Sequence, residues 1–248
     1  MPTLIPVLAA TVLAASFVQG AAGFGFGMVA MSTIPIMLPL IHAVPLVALL
    51  GIVLNAAMIV RLHGGFAWSK VTPMALGGLL GAPLGISILR SAPPLFLQIL
   101  LGLILVAYSA YGLVVSRRAP PRLALSSRWG AAAGVVGGVL GGAFNTSGPP
   151  VIVYAHLSGW SQVVFKATLQ AFFLTVGACQ IAVMGSLGMI GARHLIAGAI
   201  LLVPMILGMA AGVRASRRLD REKFRLLVLC ALLLLGIQFL VRAAGMLR

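Results

Sequence analysis

The sequence predicts an all-α integral membrane protein built from two inverted repeats, each a broken or re-entrant helix pair followed by three transmembrane helices. Three observations lead there: apolar runs that recur along the whole chain, two matched glycine-rich interruptions, and a one-sided distribution of positive charge. Of 248 residues, 61% are hydrophobic and 8% charged, and the mean hydropathy is +1.16. A soluble domain carries roughly 25% charged residues, so this composition belongs in lipid rather than in water.

The apolar runs cover residues 4–40, 41–61, 71–89, 95–115, 129–157, 163–187, 194–213 and 224–241. A helix needs about 20 residues to cross a bilayer. The first and fifth runs are too long for one simple crossing, and each contains a break. The first break is residues 19–27 (QGAAGFGFG) and the second is residues 141–150 (GGAFNTSGPP). The spacing from Gly20 to Gly27 recurs from Gly141 to Gly148, and that from Gly81 to Gly85 recurs from Gly208 to Gly212. Phe96 and Phe224 each open the last run of their half. Such self-similarity marks a duplication, with a first membrane repeat at 1–116, a basic linker at 117–128 and a second repeat at 129–248.

Charge selects the topology. If all eight runs crossed fully, alternate loops would hold nine and eight basic residues, which orients nothing. If each broken run enters and leaves on one side, thirteen of the 17 Lys and Arg residues share a side. Only Arg90, Arg193, Arg242 and Arg248 then lie opposite. That asymmetry is what the positive-inside rule requires. It places the basic loops 117–128 and 214–225 in the cytoplasm of a multi-pass protein of the cell (inner) membrane. Three crossings per half invert the second repeat relative to the first, a frequent transporter plan.

The net charge of +15 does not indicate nucleic acid, because the basic residues sit in short loops between apolar runs rather than on a folded surface. Cys179 and Cys230 lie inside apolar runs without a CxxC partner and read as packing residues, so neither a metal site nor a cofactor is expected. The N-terminus has no basic region ahead of its apolar run, which argues against a cleaved signal. Glycines four apart (Gly77, Gly81 and Gly85; Gly130, Gly134, Gly138 and Gly142; Gly208 and Gly212) form stripes that let helices approach closely. The sequence is compatible with a homo-oligomer.

Helix packing does not explain the two breaks. Unpaired backbone groups are costly in hydrocarbon, so a break is tolerated only where protein or a watery cavity receives it. The free N–H groups at a half-helix N-terminus carry partial positive charge and bind anions. The candidate anion-binding set is therefore Gln19, Gly20, Gly23, Phe24, Gly25, Phe26 and Gly27 from the first break, with Gly141, Gly142, Asn145, Thr146, Ser147 and Gly148 from the second. Asn145, Thr146 and Ser147 can equally cap the half-helix that follows. Polar residues inside the runs are few, and the best candidates among them are Gln19, Asn55, Lys166, Gln170 and Gln180. Asn55 and Gln170 join the candidate set. Lys166 and Gln170 are four apart and face the same way on a helix, although a lysine snorkelling to the interface is the plainer reading of Lys166. His42 and His156 can titrate near neutral pH and, with Lys166, are candidates for a proton or anion interaction.

The two acidic residues, Asp220 and Glu222, both lie in a basic loop. With no carboxylate in the membrane, a carboxylate proton relay or sodium site is excluded. The cavity is expected to be neutral or positive and to suit an anion. An anion channel of the same architecture remains an alternative. An intramembrane hydrolase using Ser147 with His156 lacks an acidic residue to orient the base.

The two breaks carry a resemblance to a known family. Residues 19–27 followed by Pro35, and residues 137–150 (GGVLGGAFNTSGPP), resemble the TauE/SafE sulfite exporter family, also called the 4-toluene sulfonate uptake permease family. The likeness extends over nearly the whole chain, including its length, duplication and basic mid-loop. It implies a membrane transporter, not an enzyme, that moves sulfite, sulfoacetate, other organosulfonates or thiosulfate, with the small anion and the bilayer as its partners. Phe24 and Phe26 between the glycines depart from a purely polar break and would suit an apolar portion of an organic sulfonate.

Overall fold

A computed structural model describes residues 4–61, 66–115, 123, 125–216 and 218–246. Its elements are α1 (Leu4–Ala22), α2 (Phe26–Thr33) with a 3-10 turn (Ile34–Ile36), α3 (Leu40–Val60), α4 (Trp68–Ser91), α5 (Pro94–Val115), α6 (Ser127–Phe144), α7 (Gly148–Leu157), α8 (Gln162–Ser186), α9 (Ala192–Ala215) and α10 (Arg221–Met246). Among the described residues there is no strand. The chain is a multi-pass membrane protein, and seven helices (α1, α3, α4, α5, α8, α9 and α10) are long and apolar enough to cross a bilayer.

Both predicted breaks are breaks. They fall between α1 and α2 and between α6 and α7, and each is followed by three long helices. One detail differs from expectation. α1 has 19 residues, or about 28 Å of helix, nearly the full hydrocarbon thickness rather than half of it. Each broken segment thus pairs a long helix (α1 or α6) with a short one (α2 or α7). Much of the linker 117–128, Arg217 and Arg248 lie outside the described residues. The predicted loop 214–225 is shorter than expected, because α9 runs on to Ala215 and α10 starts at Arg221. Asp220 sets that start: its Oδ1 accepts from the N–H groups of Glu222 (3.0 Å) and Lys223 (3.3 Å), an ordinary acidic N-cap.

Glycine stripes zip the helices in pairs. α4 lies along α6, where a Cβ on Gly77, Gly81 or Gly85 would run into the carbonyls of Ala131, Val135 or Val139. Gly134, Gly138 and Gly142 of α6 likewise abut Met74, Gly78 and Ala82 of α4. α1 lies along α9 in the same manner, with Gly208 and Gly212 against Leu13 and Phe17. α5 pairs with α10, and α3 with α8. The long helix of each break is therefore held by another long helix, α1 by α9 and α6 by α4, and α3 and α8 form the centre.

Candidate functional site

Backbone conformation shows why the chain breaks where it does. At the end of α1, Gly23 (φ 89°) and Gly25 (φ 111°) are left-handed, a region side chains other than glycine seldom enter. Gly23 N–H still closes α1 on the Gln19 carbonyl (2.7 Å), and its own carbonyl accepts from Gln170 Nε2 (2.6 Å). In the second break Asn145 takes the left-handed turn (φ 53°), a role asparagine tolerates better than most residues. Pro149 and Pro150 then fall in the first turn of α7, where a missing N–H costs nothing.

The two breaks meet. A Cβ on Gly27 would collide with the Asn145 carbonyl, so the backbones touch where glycine permits it. Beside this contact lies a cavity of about 70 Å³. A single water needs only about 10–15 Å³ by the same measure. The first break contributes Gln19, Gly25, Phe26, Gly27 and Met28, and the second Asn145, Thr146, Ser147 and Gly148. α3 adds Val47, Ala48, Gly51, Ile52 and Asn55, and α8 adds Phe173, Val176, Gly177 and Gln180. Gly51 is midway along α3 and Gly177 close to midway along α8, so the cavity lies deep within the bundle.

Amide side chains brace this wall. Gln19 Nε2 donates to Asn55 Oδ1 (2.8 Å), and Gln19 Oε1 accepts from Phe26 N–H (3.0 Å), which fixes the start of α2. Opposite, Gln180 Nε2 donates to the Gly141 carbonyl (3.0 Å) and to Asn145 Oδ1 (3.0 Å), while Asn145 Nδ2 donates to the Val44 carbonyl (2.8 Å). The first four N–H groups of a helix lack partners within it. In α2, Phe26 is satisfied by Gln19 and Val29 by the Gly25 carbonyl (3.0 Å), which leaves Gly27 and Met28 facing the cavity. In α7 the prolines have no N–H, which leaves Gly148 at the cavity wall. Among the described residues no charged side chain lines the space, and the polar groups that border it include the N-termini of α2 and α7, where backbone N–H groups carry partial positive charge.

Several candidates stand elsewhere. Gly20 packs on Met209 of α9 and Gly142 on Ala82 of α4, both away from the cavity, and Gly141 sits behind Ser147. Gly23 and Gln170 hold each other outside the cavity lining. Of the two roles open to residues 145–147, capping of α7 is not observed: Thr146 Oγ1 donates to the Leu140 carbonyl (3.4 Å), Asn145 is engaged with α3, and Ser147 makes no side-chain cap bond to α7. The cap is instead supplied to α2 by Gln19. Phe24, His156 and Lys166 line a second cavity of about 360 Å³, which adjoins the first through Gly25 and Met28. His42 stands beside His194 (5.8 Å between rings) at the start of α3. Ser147 and His156 occupy opposite ends of α7, roughly 13 Å apart along the helix, so no nucleophile–base pair forms.

The sequence reading missed Met28, Gly51, Gly177 and the apolar wall from α3 and α8. Their signal was positional: α3 and α8 are the helices that follow each break, and each brings an amide to the cavity, half-buried Asn55 or buried Gln180.

A family model described as "Sulfite exporter TauE/SafE" matches residues 8–239. The chain belongs to the TauE/SafE sulfite exporter family. It is also 30% identical over 180 residues to the "Probable sulfite/organosulfonate exporter TauE" of Cupriavidus necator, a match covering 68% of each chain. No solved structure matches it significantly. The TauE/SafE match makes the chain a membrane transporter, and its two most distinctive motifs coincide with the two halves of the cavity wall.

Proposed function

We propose that this TauE/SafE protein carries a small sulfur-containing anion, an organosulfonate or sulfite, out of the cell by alternating access, without catalysing a reaction. One observation carries the reading: two half-helix N-termini border a single cavity deep within the bundle, where uncharged amides and hydroxyls interrupt an apolar wall. The amides of Gly27, Met28 and Gly148 would meet the anion's oxygens, with Gln19, Asn55, Thr146, Ser147 and Gln180 adding hydrogen bonds or bracing. Backbone dipoles suit this task because they attract an anion without the strong ion pair that would retain it. The absence of any Asp or Glu from the apolar core favours export driven by the membrane potential itself.

The exchanged packing of α1 on α9 and α6 on α4 supports two inverted repeats, residues 1–116 and 129–248, that rock about the cavity. The basic loops would face the cytoplasm, which puts the second cavity on that side.

Flux in proteoliposomes tests the proposal. Sulfite, methanesulfonate and sulfoacetate are loaded in turn, and their release is followed against protein-free vesicles. Saturable release of at least one, accelerated by the same anion on the far side, is expected. Folded protein that releases none of them refutes the reading, and unsaturable release at ionic-channel rates replaces the carrier with a channel.

A further inference from the structure

The second cavity is about five times the volume of the first and of different chemistry. Its wall is largely apolar, formed by residues such as Val18, Ile152, Phe165 and Leu232. Against that wall stand Lys166, Arg225 and His156, and among the described residues no acidic side chain lines it. The Lys166 stem lies along Gly23, within 3.3 Å of where a Cβ would be, so its ammonium rises beside the first break. Arg225 is anchored through Nη2 to the Gly112 carbonyl (3.3 Å). The exposed Gln162 and Leu219 mark the rim.

Ligand sites typically combine an apolar surround with a few placed polar groups, in volumes of roughly 300–1,000 Å³. A bare oxyanion would gain nothing from this apolar wall. A cation would be repelled, and a neutral apolar molecule would leave the basic groups unused. We propose that the second cavity is a separate binding site for an organic anion bearing an apolar body, with its head group at the basic residues and its body against the wall. Two occupants share that chemistry: a soluble alkyl or aryl anion, or the head and upper chain of an anionic lipid. Phe24, set between the left-handed Gly23 and Gly25 and packed edge-on to Phe165 (6.2 Å between rings), adds an aromatic face to the wall next to Gly25, which lines both cavities.

Trp160 lines this cavity and not the central one, which provides a local reporter. In a Trp68→Phe/Trp129→Phe background, its fluorescence is titrated with hexanesulfonate, methanesulfonate and hexyltrimethylammonium in nanodiscs of zwitterionic lipid. Saturable binding of hexanesulfonate is expected, at least tenfold tighter than methanesulfonate, with no response to the cation. Ala155→Phe, which puts a ring into the cavity, should abolish the response while the protein keeps its unfolding temperature. If that variant does not fold, Lys166→Gln/Arg225→Gln should weaken hexanesulfonate at least tenfold. Equal affinity for the two sulfonates, or unaltered binding in a folded Ala155→Phe protein, overturns the proposal. Nanodiscs containing phosphatidylglycerol then identify the occupant: competition points to lipid, and undiminished binding to a soluble anion. The titration contains no transport step, so its failure and that of the flux experiment are separately visible.

Discussion

Replacing Gln180 by leucine tests whether the amide network shapes the cavity or merely fills space. Gln180 is 3% exposed and joins α8 to the second break through bonds to the Gly141 carbonyl and Asn145 Oδ1, both 3.0 Å. Asn145 passes that restraint to α3 through Val44. Leucine keeps most of the volume and removes both donors. Side-chain hydrogen bonds inside membrane bundles average about 0.6 kcal/mol and reach about 1.7, so the two together are worth about 1–3 kcal/mol. The lower figure applies if water in the cavity hydrates Asn145, which lines it. The Gly141 carbonyl keeps its bond from the Asn145 N–H (2.8 Å), so losing the Gln180 donor there adds little to the cost. Thermal unfolding in detergent should therefore move down by several degrees. Flux should fall more than stability alone accounts for, because Asn145 no longer holds the left-handed turn that places Gly148. Gln180→Glu, neutral when buried, retains one donor and should fall between. Wild-type stability together with wild-type flux in Gln180→Leu refutes the bracing role.

Gly27→Ala should leave expression intact and nearly abolish flux, since its methyl group strikes the Asn145 carbonyl and parts the breaks; equal loss in Gly20→Ala would contradict this, because Gly20 touches only α9 and should show up in unfolding temperature. Gln19→Leu frees Phe26 N–H and Asn55 together and should weaken anion binding about tenfold, a loss of about 1.4 kcal/mol, as read by equilibrium titration; unchanged affinity removes Gln19 from the site. A potential of about 100 mV is worth about 2.3 kcal/mol per charge, so a monoanion should accumulate roughly fifty-fold on the positive side of energised vesicles. An accumulation that instead tracks a proton or sodium gradient rules out uncoupled movement.

Fold class was legible because hydrocarbon imposes so few solutions. Run length marked the long helices to within a few residues, and the clustered Gly, Asn and Pro positions marked both breaks. Lys166 and Gln170, read as facing one way, do converge on Gly23. What could not be read was which glycines face a neighbour and which face a cavity. Gly20 and Gly27 look alike in QGAAGFGFG, but only the packing of α1 on α9 sends one outward and the other to Asn145. Nor does hydropathy report that α1 is long enough to cross nearly the whole bilayer. The apolar lining from α3 and α8 was hidden for the same reason: in an all-apolar helix, periodicity no longer separates faces.

The clasp of α1 by α9, and of α6 by α4, bears on biogenesis. α1 leaves the ribosome long before α9 exists, and its close-packing face (Leu13, Phe17 and Gly20) must meanwhile rest against lipid or an insertion factor. For α1 that packing arrives late, once α9 has been made, whereas α6 meets α4 as soon as it emerges. A truncation that drops α9 would strand the N-terminal arm, and with it one entire wall of the cavity, however well the remaining helices insert.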